Sequence, residues 1–150
     1  EKAIVNGFKN VILNSGIMGR WQQLMDKPTI IVDMAHNADG IRQIVQQLSF
    51  ETYDRLHIVV GFVADKNVDE ALKLLPANAY YYFCKARIPR AMDSQELYKK
   101  AIENNLQGED DDSVKNAFQK AQTNASERDL ILITGSTFVV AEVLEQFKLS

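Results

Sequence analysis

Polar side chains of three different chemistries follow one short apolar segment of this chain. Asp33, His36 and Asn37 come directly after the segment Thr29–Val32, and a helical pattern of apolar residues starts at Ile41. At the carboxyl end of a strand in an open α/β sheet, such loops are where ligands bind. A carboxylate there accepts hydrogen bonds from a ribose or another polyol, and an imidazole contacts a phosphate or orients a nucleophile. The segment therefore marks a candidate binding site.

The same residues also have structural interpretations, which the sequence leaves open. Asp33 can close a turn after the strand, and His36 can satisfy backbone groups where the helix begins. Asn37 is expected to cap that helix, although the free amides of a helix start would equally suit an anion. The position of Asp33 at a strand end favours a binding role.

Further candidates follow other predicted strands, because the carboxyl ends of parallel strands meet at one edge of a sheet. Ser136 opens the last helix, where its hydroxyl either holds a carboxylate or phosphate or caps the helix. Lys66, Arg87 and Arg90 either face the same edge or are surface cations. His57 lies inside a predicted strand and is expected to be structural.

Apolar segments without alternation indicate strands that are covered on both faces of a sheet. The segments between them repeat apolar residues at helical spacing, and this alternation favours right-handed crossovers between parallel strands. The segment Arg20–Leu24 precedes a turn-like sequence and predicts an additional, antiparallel strand. We expect an α/β fold, a Rossmann-like three-layer sandwich with a mainly parallel sheet and one antiparallel edge strand. The predicted parallel strands are Thr29–Val32, Leu56–Val60, Tyr80–Cys84 and Leu130–Thr134.

Composition narrows the possible functions. The 150 residues carry a net charge of −3, which gives no general attraction to nucleic acid or to an anionic membrane. No apolar stretch approaches the roughly 18 residues that span a bilayer. The sole cysteine, Cys84, allows neither a disulfide nor a cysteine metal site. We expect one globular domain of a soluble cytoplasmic protein, with no nucleic-acid or membrane partner and no metal ligands of its own.

The sequence offers one weak candidate for a metal site and no known phosphate-binding motif. The acidic segment Glu109–Asp112 is expected to form a solvated loop, in which Asp112 or the adjacent Ser113 caps the next helix, and a metal site is the alternative. The sequence holds neither a GxxxxGK[ST] phosphate loop nor a GxGxxG motif. The chain is therefore not expected to bind the phosphates of a nucleotide unaided.

Four short motifs, taken together, resemble a known arrangement. They are Gly19-Arg20-Trp21, Asp33-Met34-Ala35-His36-Asn37, Gly61-Phe62 with Asp65-Lys66, and Gly135-Ser136. In order and spacing they are similar to the C-terminal domain of folylpolyglutamate synthase/dihydrofolate synthase, a member of the Mur ligase superfamily. The resemblance assigns residues 1–15 to the end of a preceding domain or linker and residues 16–150 to a Mur ligase-type C-terminal domain. Met34 and Ala38 depart from the family pattern, but neither change removes a polar ligand.

The resemblance implies an ATP-dependent ligase. Such an enzyme phosphorylates a carboxylate of dihydropteroate or folate, and the amine of glutamate displaces the phosphate to form an amide. The phosphate loop and the Mg²⁺ ligands would belong to an N-terminal ATPase domain of the same polypeptide, so this chain alone is expected to be inactive. Arg20 and Asp33 would bind ATP, with Asp33 at the ribose. His36 would be the catalytic residue and would lie near the γ-phosphate of ATP or the incoming amino acid.

The resemblance also implies a substrate subsite in this domain. Ser136 would bind the carboxylate of glutamate, and Lys66 is a further substrate-binding residue. We expect a monomer. A peptidoglycan-precursor ligase of the same superfamily is the nearest alternative, and a stand-alone, non-catalytic Rossmann-like binding module is the other.

Overall fold

Six strands form one sheet in the computed structural model, which describes residues 20–64 and 67–149. The strands are β1 (Gln22–Asp26), β2 (Thr29–Val32), β3 (Leu56–Gly61), β4 (Tyr80–Phe83), β5 (Gln107–Asp110) and β6 (Leu130–Gly135). The helices are α1 (Ala38–Leu48), α2 (Val68–Leu74), α3 (Ser94–Glu103), α4 (Val114–Asn124) and α5 (Thr137–Leu149). Across the sheet the order is β1-β2-β6-β3-β4-β5, and each neighbouring pair is parallel except β1 with β2. The predicted fold class is confirmed.

The helices cover both faces of the sheet because successive residues of a strand point to opposite sides. Ile31, Ile58 and Leu132 pack on one face with apolar residues of α1, α2 and α3. Val59 and Ile133 pack on the other face with α4 and α5. All five side chains are buried, which explains why the strand sequences show no alternation of apolar and polar residues.

The first strand lies two residues later than predicted. The sequence predicts Arg20–Leu24, whereas β1 spans Gln22–Asp26 and pairs antiparallel with β2. Trp21 has a left-handed backbone conformation with φ +50°, and a non-glycine residue in that region interrupts an extended strand. Arg20 and Trp21 therefore lie before β1, and a hydrogen bond joins Trp21 to the residue that follows β2.

The prediction of a loop at Glu109–Asp112 is wrong for its first two residues. Glu109 and Asp110 end the edge strand β5, which pairs in parallel with β4. Gly108 makes this pairing possible, because a Cβ there would collide with the carbonyl oxygen of Tyr81. Charged residues are common on edge strands because they oppose pairing with another chain.

The predicted cap at the end of the acidic segment is confirmed. Ser113 caps α4, since its Oγ accepts a hydrogen bond from Asn116 N at 3.1 Å. Lys120 on α4 pairs with Glu109 Oε2 at 3.3 Å and with Asp111 Oδ2 at 2.9 Å. Among the described residues, no three His, Cys, Asp or Glu side chains are grouped so as to hold a metal ion.

Residues 1–15, which the resemblance assigns to a preceding domain or linker, lie outside the described residues. Asp65 and Lys66 lie outside them as well. Of the helices in the part of the chain that the structure describes, none is long and apolar enough to cross a membrane.

Candidate functional site

Three loops interlock at the carboxyl edge of the sheet, where β2, β3 and β6 end. The carbonyl oxygen of Ala35 accepts hydrogen bonds from Gly135 N at 3.0 Å and from Thr134 Oγ1 at 3.2 Å. Ser136 N donates to the carbonyl oxygen of Gly61 at 3.0 Å. Gly135 has φ +111°, and a Cβ there would collide with the Gly61 carbonyl oxygen, so this close approach requires glycine. The loops therefore hold one another in fixed positions.

Asp33 is the half-buried carboxylate of this edge. Its Oδ1 accepts a hydrogen bond from Ala35 N and its Oδ2 accepts one from Trp21 N, both at 2.9 Å. Burial raises the pKa of Asp33 above its ordinary value, while these two bonds and the nearby charge of Arg20 oppose the rise. Each carboxylate oxygen keeps a second lone pair. Asp33 can therefore hold Trp21 in place and still accept hydrogen bonds from a ligand.

His36 and Asn37 lie where α1 begins, and both are exposed. Asn37 caps the helix as predicted, since its Oδ1 accepts a hydrogen bond from Gly40 N at 2.9 Å. His36 Nδ1 lies 3.1 Å from the carbonyl oxygen of Met34, and Nδ1 carries the proton in this contact because a carbonyl only accepts. No described residue bonds to His36 Nε2, which leaves that atom available to a ligand.

An open cleft of about 740 Å³ lies at this edge, and its volume is within the range of small-molecule sites. The cleft is formed by the segment before β1, the loop after β2, the exposed side of α1 and the start of α5. Its lining residues are Arg20, Trp21, Asp33, Met34, Ala35, His36, Asn37, Asp39, Gly40, Gln43, Gln47 and Thr137. The structure thus brings together three of the predicted site residues, Arg20, Asp33 and His36.

The two predicted substrate-binding residues are not in the lining of this cleft. Ser136 is 4% exposed, and its Oγ accepts a hydrogen bond from Val139 N at 3.2 Å at the start of α5. The next residue, Thr137, lines the cleft instead. Lys66 lies outside the described residues. The hydroxyl of Ser136 therefore has the capping position that the sequence left as one of its two interpretations.

The cations that follow β4 do not line the cleft. Arg87 Nε lies 3.3 Å from Glu142 Oε1, and Arg87 Nη2 lies 3.3 Å from Glu145 Oε2. Arg87 thus joins the loop after β4 to α5. Arg90 lies in the same loop, and its carbonyl oxygen accepts a hydrogen bond from Ala64 N.

Sequence reasoning missed the part of the cleft that α1 contributes. Asp39, Gln43 and Gln47 follow one another at intervals of four residues, which places them on one side of the helix. All three are exposed and line the cleft. The repeated polar spacing is a signal for such a surface, but it is equally typical of any solvated side of a helix. The sequence gives Trp21 no site role of its own, because it lies in the predicted strand Arg20–Leu24.

A second polar cluster lies at the opposite edge of the sheet, where β3 and β6 begin. His57 Nε2 lies 2.9 Å from Asp129 Oδ2, and His57 Nδ1 lies 3.1 Å from Tyr82 Oη. Asp129 also accepts hydrogen bonds from Arg55 N at 3.1 Å and Ser126 N at 3.0 Å. Burial alone would raise the pKa of Asp129, but the bonds from His57, Ser126 and Arg55 lower it to about 2. These contacts support the structural interpretation of His57.

The chain resembles known proteins over most of its length. The family described as Mur ligase, glutamate ligase domain matches residues 19–137. The match covers most of the chain and includes the strands and the loops that form the cleft. The chain therefore belongs to the glutamate ligase domain family of the Mur ligases.

Individual relatives confirm the resemblance to the C-terminal domain of folylpolyglutamate synthase/dihydrofolate synthase. A Haloferax volcanii protein named as a probable bifunctional folylpolyglutamate synthase/dihydropteroate synthase is 35% identical over 127 residues, which are 83% of this chain and 15% of that protein. The structure of Escherichia coli FolC in complex with DHPP and ADP has a TM-score of 0.80 and 26% identity, over 87% of this chain and 31% of that chain.

A third relative has both a nucleotide analogue and a metal ion bound. The Yersinia pestis bifunctional folylpolyglutamate synthase/dihydrofolate synthase complexed with AMPPNP and Mn ion has a TM-score of 0.77 and 25% identity, over 86% of this chain and 31% of that chain. This chain thus spans 15% of the Haloferax volcanii protein and 31% of each of the two solved chains.

Proposed function

We propose that this chain is the C-terminal domain of an ATP-dependent ligase that joins glutamate to dihydropteroate, folate or both through an acyl phosphate. The observation that carries the proposal is the cleft in which Arg20, Asp33 and His36 come together in a Mur ligase domain. The names of the relatives support the reaction, and the ADP and AMPPNP of the solved relatives support ATP as the nucleotide.

The proposed reaction has two steps. An oxygen of the substrate carboxylate attacks the γ-phosphorus of ATP, which forms an acyl phosphate and releases ADP. The amine nitrogen of glutamate then attacks the acyl carbon, loses a proton, and inorganic phosphate leaves as the amide forms. An N-terminal ATPase domain of the same polypeptide would supply the phosphate loop and the Mg²⁺ ligands, since this chain has no phosphate loop.

Each cleft residue has a role in this proposal. Asp33 accepts the ribose hydroxyls with the lone pairs that Trp21 N and Ala35 N leave free. Arg20 is exposed and offers its positive charge to the nucleotide. His36 is the proposed catalytic residue, because its Nε2 is available to accept a proton from the incoming amine or, in the imidazolium form, to donate a hydrogen bond to the γ-phosphate.

The proposed glutamate subsite includes Ser136 and Lys66. The Ser136 hydroxyl accepts the capping hydrogen bond from Val139 N, so its own hydrogen remains to donate to a carboxylate. A lysine would complement the charge of the same carboxylate. We further propose that the full-length enzyme is monomeric and cytoplasmic.

Ligation assays on the full-length protein test the proposed function. With ATP, glutamate and either dihydropteroate or tetrahydrofolate, we expect one ADP released for each amide formed, measured by coupled ADP detection and mass spectrometry. The 150-residue chain alone should unfold cooperatively and form no product. Product with a UDP-N-acetylmuramoyl peptide instead of a pterin substrate would favour the peptidoglycan-precursor ligase. Product from the 150-residue chain would contradict the assignment of the phosphate site to another domain.

A further inference from the structure

The cleft extends along α1 beyond the residues that we assign to the ribose and the phosphates. His36 and Asn37 lie at the start of the helix, whereas Gln43 and Gln47 line the cleft further along it. At 1.5 Å per residue, the distance from Asn37 to Gln47 along the helix axis is roughly 15 Å. A nucleotide whose phosphates lie near His36 therefore has room for its base beside α1.

Trp21 borders this part of the cleft, and its position is fixed by several contacts. The side chain packs against the buried core beneath the sheet face that α1 covers. Its Nε1 donates a hydrogen bond to Glu51 Oε2 at 3.4 Å, just after α1 ends. Its backbone N donates to Asp33 Oδ2 at 2.9 Å. The indole is thus held in place while it remains only partly buried at the cleft.

The backbone of Trp21 is unusual for an aromatic residue. Its φ of +50° lies in the left-handed region, which costs free energy in any residue with a Cβ. Residues held in such conformations occur at ligand sites, where the surrounding contacts maintain them. Here the hydrogen bond to Asp33 maintains it, and this is the carboxylate that we assign to the ribose.

We propose that Trp21 stacks on the base of the bound nucleotide and that the amides of Gln43 and Gln47 face the polar edge of that base. Aromatic side chains bind bases through their π-faces, and a glutamine amide offers both a donor and an acceptor to a base edge. The inference rests on the proposed ATP-dependent function. It adds that Asp33 couples the two halves of the nucleoside, since one carboxylate binds the ribose and positions the ring.

Removing the base from the nucleotide tests this assignment. In the full-length enzyme, competitive inhibition constants against ATP are measured for ADP and for ribose 5-diphosphate, which has no base. In Trp21→Leu, the inhibition constant of ADP should rise on the order of 5- to 100-fold, the range of base–aromatic stacking. That of ribose 5-diphosphate should not change. The backbone amide of residue 21 is retained, so Asp33 keeps its partner.

Two further variants serve as controls. Trp21→Phe keeps an aromatic ring and should keep most of the affinity for ADP. Phe50→Leu removes an aromatic side chain that is 77% exposed and outside the cleft lining, and it should change neither constant. An equal rise for both inhibitors in Trp21→Leu would overturn the base contact and leave Trp21 as a support of the cleft.

Failure of the proposed function is distinguishable from failure of the base contact. A wild-type enzyme that forms no amide with ATP would contradict the proposed function, and with it this inference. An active enzyme whose inhibition by both ligands is insensitive to Trp21→Leu would contradict the base contact alone.

If Trp21→Leu does not fold, photolabelling of the wild-type enzyme with 2-azido-ATP tests the base contact. Label on Trp21, Gln43 or Gln47 supports the assignment, and label confined to other residues overturns it.

Discussion

The two edges of the sheet each hold a histidine and an aspartate, but only one edge presents them to a ligand. At the carboxyl edge, His36 is exposed and Asp33 is half-buried, and both keep hydrogen-bonding capacity that the protein does not use. At the amino edge, His57 and Asp129 are 2% and 1% exposed, and both ring nitrogens and both carboxylate oxygens bond to the protein. Unused hydrogen-bonding capacity at an atom that solvent can reach, more than residue type, separates a candidate site from a structural cluster.

Backbone hydrogen bonds extend the β3–β6 ladder at both of its ends, but the surroundings of the two ends differ. At the amino edge the backbone pairing continues past the strands, with hydrogen bonds from Asp54 N to Arg128 O at 2.9 Å and from Leu130 N to Arg55 O at 3.0 Å. At the carboxyl edge Ser136 N still donates to the carbonyl oxygen of Gly61 at 3.0 Å, while Gly135 N donates to the carbonyl oxygen of Ala35 in the loop after β2 at 3.0 Å. The cleft lies beside this loop, along α1 and the segment before β1, and not between β3 and β6.

The largest effect is expected from Asp129→Ala, which removes the shared hydrogen-bond acceptor of the buried cluster at the amino edge. His57 and the backbone amides of Arg55 and Ser126 lose a buried acceptor, and the Arg55 guanidinium loses an ion pair at 3.2 Å. The free energy of unfolding should fall by about 3–5 kcal/mol, as measured by chemical denaturation. Asp54→Ala is the control, because its ion pair with Arg128 is exposed and is worth less than about 1 kcal/mol. Equal losses in the two variants would mean that the buried cluster has no special role.

The next effect tests the carboxyl edge through Asp33→Ala in the full-length enzyme. Loss of hydrogen bonds from a charged group should cost on the order of 1.5–3 kcal/mol of ATP binding, which is about 10- to 100-fold in affinity. The fold should lose less than in Asp129→Ala, because burial raises the pKa of Asp33 and so disfavours its ionised form. Isothermal titration with ADP checks the affinity. An unchanged affinity would remove Asp33 from the ribose site and leave it as a turn residue.

Acid pH should affect the two aspartates in opposite directions. Asp129 has a folded pKa of about 2, below its ordinary 3.8, so its stabilisation is present above pH 3.8 and is lost as the pH falls through 2. Between about pH 5 and pH 2, the wild type should therefore lose about 2 kcal/mol more than Asp129→Asn. Asp33 has a raised pKa, so its stabilisation is present at low pH and is lost as the pH rises. Denaturation at a series of pH values measures both, and identical pH profiles for wild type and Asp129→Asn would contradict the assignment.

The sheet was predictable where burial on both faces leaves a continuous apolar signature. The central strands β2, β3, β4 and β6 have that signature, and the sequence alone locates them. The edge strand β5 has none, because Gln107–Asp110 is polar and its pairing depends on the close approach of Gly108 to Tyr81. Long-range pairing of this kind is not encoded in the local composition.

The site was predictable where position along a strand determines exposure, as it does for Asp33 and His36. The indole of Trp21 was not, because its place in the cleft depends on a left-handed backbone conformation that is maintained by a residue twelve positions away. The same limit applies at the start of α5. Ser136 and Thr137 are adjacent hydroxyl residues, and which of them borders the cleft depends on the local backbone geometry that Gly135 begins.

The smallest effect is expected from substitution of these two hydroxyl residues. It tests whether the ligand site includes Ser136 or only Thr137 at the start of α5. Ser136→Ala removes the acceptor for Val139 N and should cost about 1 kcal/mol of stability as a lost helix cap. If Ser136 also binds glutamate, the KM for glutamate should rise several-fold while the KM for ATP stays unchanged, since a hydrogen bond to a carboxylate is lost. Thr137→Ala is the matched variant, because Thr137 lines the cleft. A raised glutamate KM in Thr137→Ala alone would assign the carboxylate contact to the Thr137 hydroxyl, which lines the cleft, and leave Ser136 with a structural role only.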